Sequence, residues 1–506
     1  MRIGKLAVVV TAGAVAAAAF AVSSSGPGSS GRIAGAQAPS VGLAARPFIK
    51  HVVVIVMENR SFDNLFSGST ATPQPGHTIP PDQPLPYHGA DSAVPSAIAP
   101  FMKTVRIDDP SADNTHNAWA CLNESTPGKP RFSSTRWIAV SQHASDPAAV
   151  CSDTSRNYDF FEFVPQSQRT IYWQIANAYG LGDRFFAATT SASYPPHQFI
   201  VAGDASFMLN GEQWVADQPN PGNGCWGPKQ GPYSVPVVGP SVFEINASVP
   251  DRRGACYDRP TYGDGFNAAH TSWTHYTTAI PTPTPGTGSA TEPPAVHAFD
   301  GFTNIVGWYH STIPLPQKHF VKTTQILDDA KNGQLPQFAW VKPPCAKQSD
   351  HPGNGAGLGG HNGPNWVGTV INAIGRSREW NSTAIFVIWD DWGGFYDHVI
   401  PPTAPPSAQL GRGVRIPFLV ISPYLAHPGH VVHTVGHPGS IMRFANELFG
   451  AAGLTDFDET APDLTGWFDF HPHMIAHPFV PIAGALGPGR VWENDWCAGS
   501  SSELVD

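Results

Sequence analysis

Three stretches of this chain are almost wholly apolar and rich in β-branched or aromatic residues: His51-Val-Val-Val-Ile-Val-Met57, Thr383-Ala-Ile-Phe-Val-Ile-Trp389 and Ile416-Pro-Phe-Leu-Val-Ile-Ser422. A strand with one face in water alternates apolar and polar residues. A continuous run of this length instead predicts a strand buried on both faces, which needs helices above and below. Helical patterns lie between the runs. Thr170 to Tyr179 is followed by Gly180, and Trp366 to Ile374 by Gly375, each glycine standing where a left-handed C-terminal cap is favoured. The expected fold is therefore α/β, an α/β/α sandwich with a mostly parallel central sheet and loop-rich insertions.

At 506 residues and 54.0 kDa the chain is long enough for one large domain or two to three ordinary ones. Candidate functional residues lie near both ends, so one domain with insertions is expected over 46–490. A Pro-, Gly- and Thr-rich insertion or cap is expected at 210–294, and a C-terminal tail at 491–506. Arg2 and Lys5 precede the apolar run Leu6 to Ala21, which predicts a signal peptide over 1–21 and a secreted, extracellular or cell-wall-associated product, with a Ser/Gly/Ala-rich linker over 22–45. No later segment is apolar enough to span a bilayer, so no stable membrane span is expected after cleavage. Six cysteines in such a chain are expected to form disulfides; nearness in sequence favours Cys121 with Cys151 and Cys225 with Cys256, leaving Cys345 for Cys497. The formal net charge of −10 argues against a nucleic-acid partner held through its phosphates.

In open α/β sheets, ligands bind beyond the carboxyl ends of the strands, so the polar residues that follow each buried run are the first candidates. Glu58-Asn59-Arg60-Ser61 follows the first run and Asp390-Asp391-Trp392-Gly393-Gly394 the second. Carboxylates and an amide gathered at neighbouring strand ends repel one another unless a cation neutralises them, so Glu58, Asn59, Asp390 and Asp391 are expected to surround a divalent metal ion. All-oxygen ligation suits Mg, Ca or Mn; a histidine in the shell would favour Zn or Fe. A third segment, Thr189-Thr190-Ser191-Ala192-Ser193-Tyr194-Pro195-Pro196-His197, supplies hydroxyls. Pro195 fits the first position of a helix that continues through His197 to Ala202 and stops near Gly203. Ser193 then stands at a helix N-terminus, where backbone N–H groups favour a phosphate. It is either a plain helix cap or a nucleophile and metal ligand, with Ser191 and Thr190 as substitutes. His351, His116 and His398, and less so His361, His433 and His437, are candidates to bind a phosphoryl group or protonate a leaving alcohol.

Val54-Ile-Val-Met-Glu-Asn-Arg-Ser-Phe-Asp63, Ser193-Tyr-Pro-Pro-His197, Asp390-Asp-Trp-Gly-Gly-Phe-Tyr-Asp-His-Val399 with Pro401-Pro402, and Arg415-Ile-Pro417 with Ile421-Ser-Pro-Tyr424 together resemble the bacterial phosphoesterase family, from about residue 48 to 455. That family holds phospholipases C of the non-haemolytic type and a group of acid phosphatases. The resemblance implies an alkaline-phosphatase-like fold, a metal held by Glu58, Asn59, Asp390 and Asp391, and Ser193 as a nucleophile that becomes phosphorylated. It also implies that His351 and His116 stand near the phosphoryl group. The Asp390-Asp391 pair resembles the acid-phosphatase branch, the rest of the motif wording the phospholipase branch. The expected activity is metal-dependent hydrolysis of phosphate esters, with a phosphate-ester small molecule or a phospholipid headgroup as partner. The alternative is a secreted binding or adhesion protein on the same scaffold without turnover.

Overall fold

The structure is a computed structural model. It describes residues 40–68, 87, 89–105, 107, 132, 137–138, 160–191, 193–209, 212–215, 233–234, 237–238, 243–244, 248–249, 259–277, 319–345, 348–352, 363–403, 411–471 and 473–485. The expected signal peptide, the C-terminal tail, His116 and His361 lie outside these residues. So does one partner, at least, of each expected cysteine pair; Cys345 is described and buried.

An eight-stranded sheet forms the centre. Its strands in chain order are β1 (His51–Met57), β2 (Gly180–Gly182), β3 (Trp273–Thr277), β4 (Phe320–Lys322), β5 (Phe338–Val341), β6 (Thr383–Trp389), β7 (Phe418–Ile421) and β8 (His430–Val432). In space they run β4-β3-β5-β1-β6-β7-β2-β8. All neighbours are parallel except at β7, which is antiparallel to both β6 and β2. The first two apolar runs are strands over the expected residues and sit side by side at the middle, buried on both faces. The third run shortens to Phe418–Ile421, because Pro417 has no N–H for a ladder. Its reversed direction puts Ser422 at the end of the sheet opposite Glu58 and Asp390.

Helices cover both faces. On one side lie α1 (Gln166–Ala178), α3 (Gln325–Asn332) and α4 (Gly363–Gly375); on the other, α2 (Tyr194–Ala202) and α5 (Pro438–Phe449). Alternation along β6 separates the layers. Trp389 meets Tyr172 of α1 edge-on, whereas Phe386 meets Phe444 of α5. Each large side chain buried this way contributes roughly 1.5–3 kcal/mol.

Three local expectations need correction. Gly180 does not cap α1: Tyr179 ends that helix, and Gly180 opens β2, where a Cβ would stand 2.9 Å from the Trp467 ring. Gly375 is the last residue of α4 and leaves room for the Phe479 ring rather than adopting a left-handed cap. The 210–294 stretch is not loop throughout, since it supplies the helix Tyr262–Ala268 and the central strand β3. Within the expected linker, Val41–Ala45 forms a short helix. Gly203 does adopt the left-handed cap expected after α2, at φ +66°.

Candidate active site

The sheet register determines which strand-end residues meet. Val54 pairs with Trp340 of β5 and with Phe386 of β6, so these three share a face, the one covered by α2 and α5. Counting on by twos brings Glu58 beside Asp390 on that face, with Lys342 one row below, next to Val56. α2 brings His197 to the same place. The distances agree: Lys342 Nζ lies 2.5 Å from Glu58 Oε1, and His197 Nε2 lies 3.1 Å from Lys342 Nζ, 3.4 Å from Glu58 Oε1 and 3.2 Å from Asp390 Oδ2. All four side chains are buried.

Two backbone features tighten this end of the sheet. Asn59 takes a left-handed conformation at φ +59°, which asparagine tolerates better than most residues, and its N–H donates to Asp390 Oδ1 at 2.9 Å. Gly393, at φ +61°, lies so close that a Cβ would stand 2.3 Å from the Asn59 carbonyl oxygen; its N–H donates to Asp391 Oδ1 at 2.6 Å. The Gly-Gly after the acidic pair thus lets one loop fold over the other.

Ser193 occupies the N-cap position of α2, and its hydroxyl makes no capping bond because the second and third helical residues, Pro195 and Pro196, have no N–H to donate. It lies 2.9 Å from Asp391 Oδ2, to which it donates, and 3.3 Å from Asn59 Oδ1. The helix begins at Tyr194, so Pro195 is its second residue rather than its first, and the N-terminal turn stands beside the hydroxyl. The structure therefore joins Ser193 to Asn59 and Asp391 directly. It sets Glu58 and Asp390 in an adjoining corner with His197 and Lys342.

The charges in that corner perturb one another. Burial and the Lys342 ammonium act against a charged His197, but Glu58 and Asp390 outweigh them, raising its pKa to about 10. Burial pushes Asp390 up, and His197 and Lys342 more than reverse this, holding it at about 2. Glu58, His197 and Asp390 each offer one ligand atom, and the three atoms lie within 4.8 Å of one another, a grouping that could hold a metal ion. Glu58 Oε2 is buried without a hydrogen-bond partner among the described residues, which is costly unless a cation meets it. The residues present fit a divalent ion.

The histidine candidates divide. His351 follows Ser349, whose carbonyl accepts from Glu58 N–H at 2.8 Å, so it lies close to the site in the chain. Its Nδ1 is 2.5 Å from the Pro352 carbonyl, an acceptor only, which places a proton on Nδ1. His398 is instead held by Asp63 and Asp91, His433 by Asp183, and His437 caps α5 and contacts Arg412. Burial and Arg412 push His437 well below its usual pKa. Thr190 and Ser191 are buried near the nucleophile candidate; the Thr190 carbonyl accepts from the Trp392 indole. Two site residues escaped the strand-end reading as chemistry. Lys342 obeys the same rule but follows a four-residue strand, too short to stand out, and His197 is one turn beyond Ser193 on α2.

Residues 49–452 match the phosphoesterase family, and the chain belongs to it. Among similar proteins, a non-hemolytic phospholipase C of Burkholderia pseudomallei is 23% identical over 87% of this chain and 62% of its own length. The present chain thus spans less than two thirds of that relative. Phospholipase C A of Mycobacterium tuberculosis is 23% identical over 87% of this chain and 81% of its own. Phospholipase C B of the same species is 30% identical over 30% of this chain and 35% of its own. Among solved structures, a protein in the alkaline phosphatase superfamily from Vibrio parahaemolyticus aligns over 57% of this chain and 63% of its own, at 13% identity and a TM-score of 0.26. The chain is thus a member of the phosphoesterase family that is similar to phospholipases C, and none of its described helices is long and apolar enough to cross a membrane.

Proposed function

We propose that this phosphoesterase is a secreted hydrolase of phosphate esters, with a phospholipid headgroup ester as substrate and Ser193 as nucleophile. The observation that carries this reading is the Ser193 hydroxyl: buried at the start of α2, where Pro195 and Pro196 leave it no N–H to cap, it bonds to Asp391 and Asn59.

Ser193 Oγ attacks phosphorus in line with the departing alcohol, so the Oγ–P bond forms as the P–O bond to the alcohol breaks. Asp391 Oδ2, 2.9 Å from the hydroxyl, orients it and is placed to accept its proton. The positive end of the α2 dipole favours the charge that develops on the nonbridging oxygens, although Pro195 and Pro196 contribute no N–H to it. His351, with Nδ1 protonated toward Pro352, has Nε2 for exchanging a proton with the leaving alkoxide and then with the water that frees Ser193. A divalent ion held by Glu58, Asn59, Asp390 and Asp391 would supply Lewis-acid polarisation and help ionise the serine.

The purified chain is expected to hydrolyse p-nitrophenylphosphorylcholine faster than p-nitrophenyl phosphate and to lose turnover on dialysis against a chelator. A preference for the monoester would move the assignment to the acid-phosphatase branch. Chelator-resistant turnover would remove the metal, and no turnover of any phosphate ester would leave a binding protein.

A further inference from the structure

Near Glu58, the site already contains a cation of its own. The Lys342 ammonium is buried and lies 2.5 Å from Glu58 Oε1 and 3.1 Å from His197 Nε2. Those two ligand atoms are themselves only 3.4 Å apart, and His197 Nε2 is 3.2 Å from Asp390 Oδ2. Metal–ligand bonds to oxygen and nitrogen run about 2.0–2.6 Å. An ion bound by Glu58 Oε1 and His197 Nε2 would therefore compete with Nζ, which stands within hydrogen-bond reach of both, for the same ligand atoms.

Charge leads to the same conclusion. Glu58, Asp390 and Asp391 bring three negative charges to the buried site and Lys342 one positive charge. One divalent ion already offsets the net charge of these four groups, and a protonated His197 would add a further positive charge. A second ion would leave the site two charges positive in a low-dielectric setting, where such an excess is strongly disfavoured. For the single ion there remain Glu58 Oε2, which has no hydrogen-bond partner among the described residues, Asp390 Oδ1, and the Ser193, Asn59 and Asp391 oxygens, in which Ser193 Oγ lies 2.9 and 3.3 Å from its two neighbours.

We infer that Lys342 takes the place of a second metal ion: its ammonium fills the Glu58–His197–Asp390 corner and limits the centre to one divalent cation. Removing that ammonium turns the corner into a second divalent site with Glu58, His197 and Asp390 as ligands. The inference rests on the metal-dependent reading above, but its test is read from a difference.

The full chain and its Lys342→Met variant are dialysed against saturating manganese, and bound metal is counted by elemental analysis. One ion per chain is expected in the wild type and two in the variant, falling back to one when His197→Ala is added. Equal counts in wild type and variant overturn the inference. A wild type with no ion overturns the metal-dependent reading, and the step between wild type and variant still decides the role of Lys342. Lys342→Gln, which keeps most of the side-chain volume, gives the same readout if the Met variant does not fold. Paramagnetic resonance of the manganese-loaded wild type is a check that needs no variant. Isolated Mn(II) signals are expected, and an exchange-coupled pair, the signature of ions about 3.5–4 Å apart, would overturn the inference.

Discussion

Around Arg415, the buried charges are matched. Its guanidinium donates to Asp397 Oδ1 at 2.8 Å and Asp63 Oδ1 at 3.0 Å, and also to the Asp91 and Asp183 carbonyls. Asp63 Oδ2 accepts from both the backbone and the Nδ1 of His398. Around Glu58, only five residues away in the chain, the buried charges outnumber their partners. Glu58 and Asp390 share one lysine and one histidine beside a third carboxylate, Glu58 Oε2 has no hydrogen-bond partner among the described residues, and Ser193, left no cap by Pro195 and Pro196, donates its hydroxyl to Asp391. The first cluster ties the Phe62–Phe66 helix, the 397–399 segment and the residues leading into β7 together. The second leaves bonding capacity open for something that is not part of the chain. Burial and charge are alike in both, so unfilled valence is what separates chemistry from scaffold.

The largest effect that would break this contrast is expected at Ser193. Ser193→Ala should lower turnover on the order of 10⁴-fold or more, because the attacking atom is gone. It should change stability by only about 1 kcal/mol, the worth of one hydrogen bond. Equal turnover in mutant and wild type, with metal content unchanged, would move the nucleophile elsewhere.

Arg415→Met should do the reverse. It leaves Asp63 and Asp397 buried without their cation, a loss of roughly 3–5 kcal/mol, read as a lower denaturation midpoint. Turnover per folded molecule should stay near the wild-type value. If Arg415→Met spared stability and abolished turnover, the two clusters would have been assigned the wrong way round.

How much of this could be read from the chain alone differs between the same two clusters. β1 and β6 were legible to the residue because burial on both faces leaves an unbroken apolar run, and the strand-end rule then led to Glu58, Asn59, Asp390 and Asp391. Ser193 was visible as a helix start, and Pro195 and Pro196 already spoke against a cap, but its role needed the partner of the hydroxyl. Lys342 was hidden by the brevity of β5, and β3 by the Pro- and Gly-rich stretch before it. His398 was over-read, because a histidine after Asp397 looks like a catalytic pair when Arg415, seventeen residues on, is not seen to share it. Motif strings record which residues occur together, and register decides which of them touch.

Acidity offers a third, smaller contrast. Burial works against a charge on His398, but Asp63 and Asp397 overcome it, and its pKa rises to about 9. A raised folded-state value means that protonated His398 stabilises the fold: the contribution is complete below about pH 6.5 and is lost as pH climbs through about 9. At ~1.4 kcal/mol per unit, the loss is roughly 3 kcal/mol. The stability gap between wild type and His398→Asn should therefore be wide at pH 6 and narrow above pH 9. A gap that does not change with pH would mean that His398 holds Asp63 as a neutral donor.

The smallest effects are expected at the other hydroxyls of the loop before α2. Thr190 and Ser191 are buried within three residues of Ser193, so proximity alone would make either a substitute nucleophile. The backbone helps fasten that segment, however: the Thr190 carbonyl accepts from the Trp392 indole, and the Thr189 carbonyl lies against Gly413, where a Cβ would come within 2.4 Å. Replacing the Thr190 or Ser191 side chain with alanine leaves those contacts intact. Turnover should therefore change less than about threefold, corresponding to under ~1 kcal/mol on the barrier, and stability by about 1 kcal/mol at most. A collapse of activity in Ser191→Ala with Ser193 intact would show that the reacting hydroxyl is not the one turned toward Asp391. The line between an open and a satisfied cluster would then have to be redrawn around Ser191.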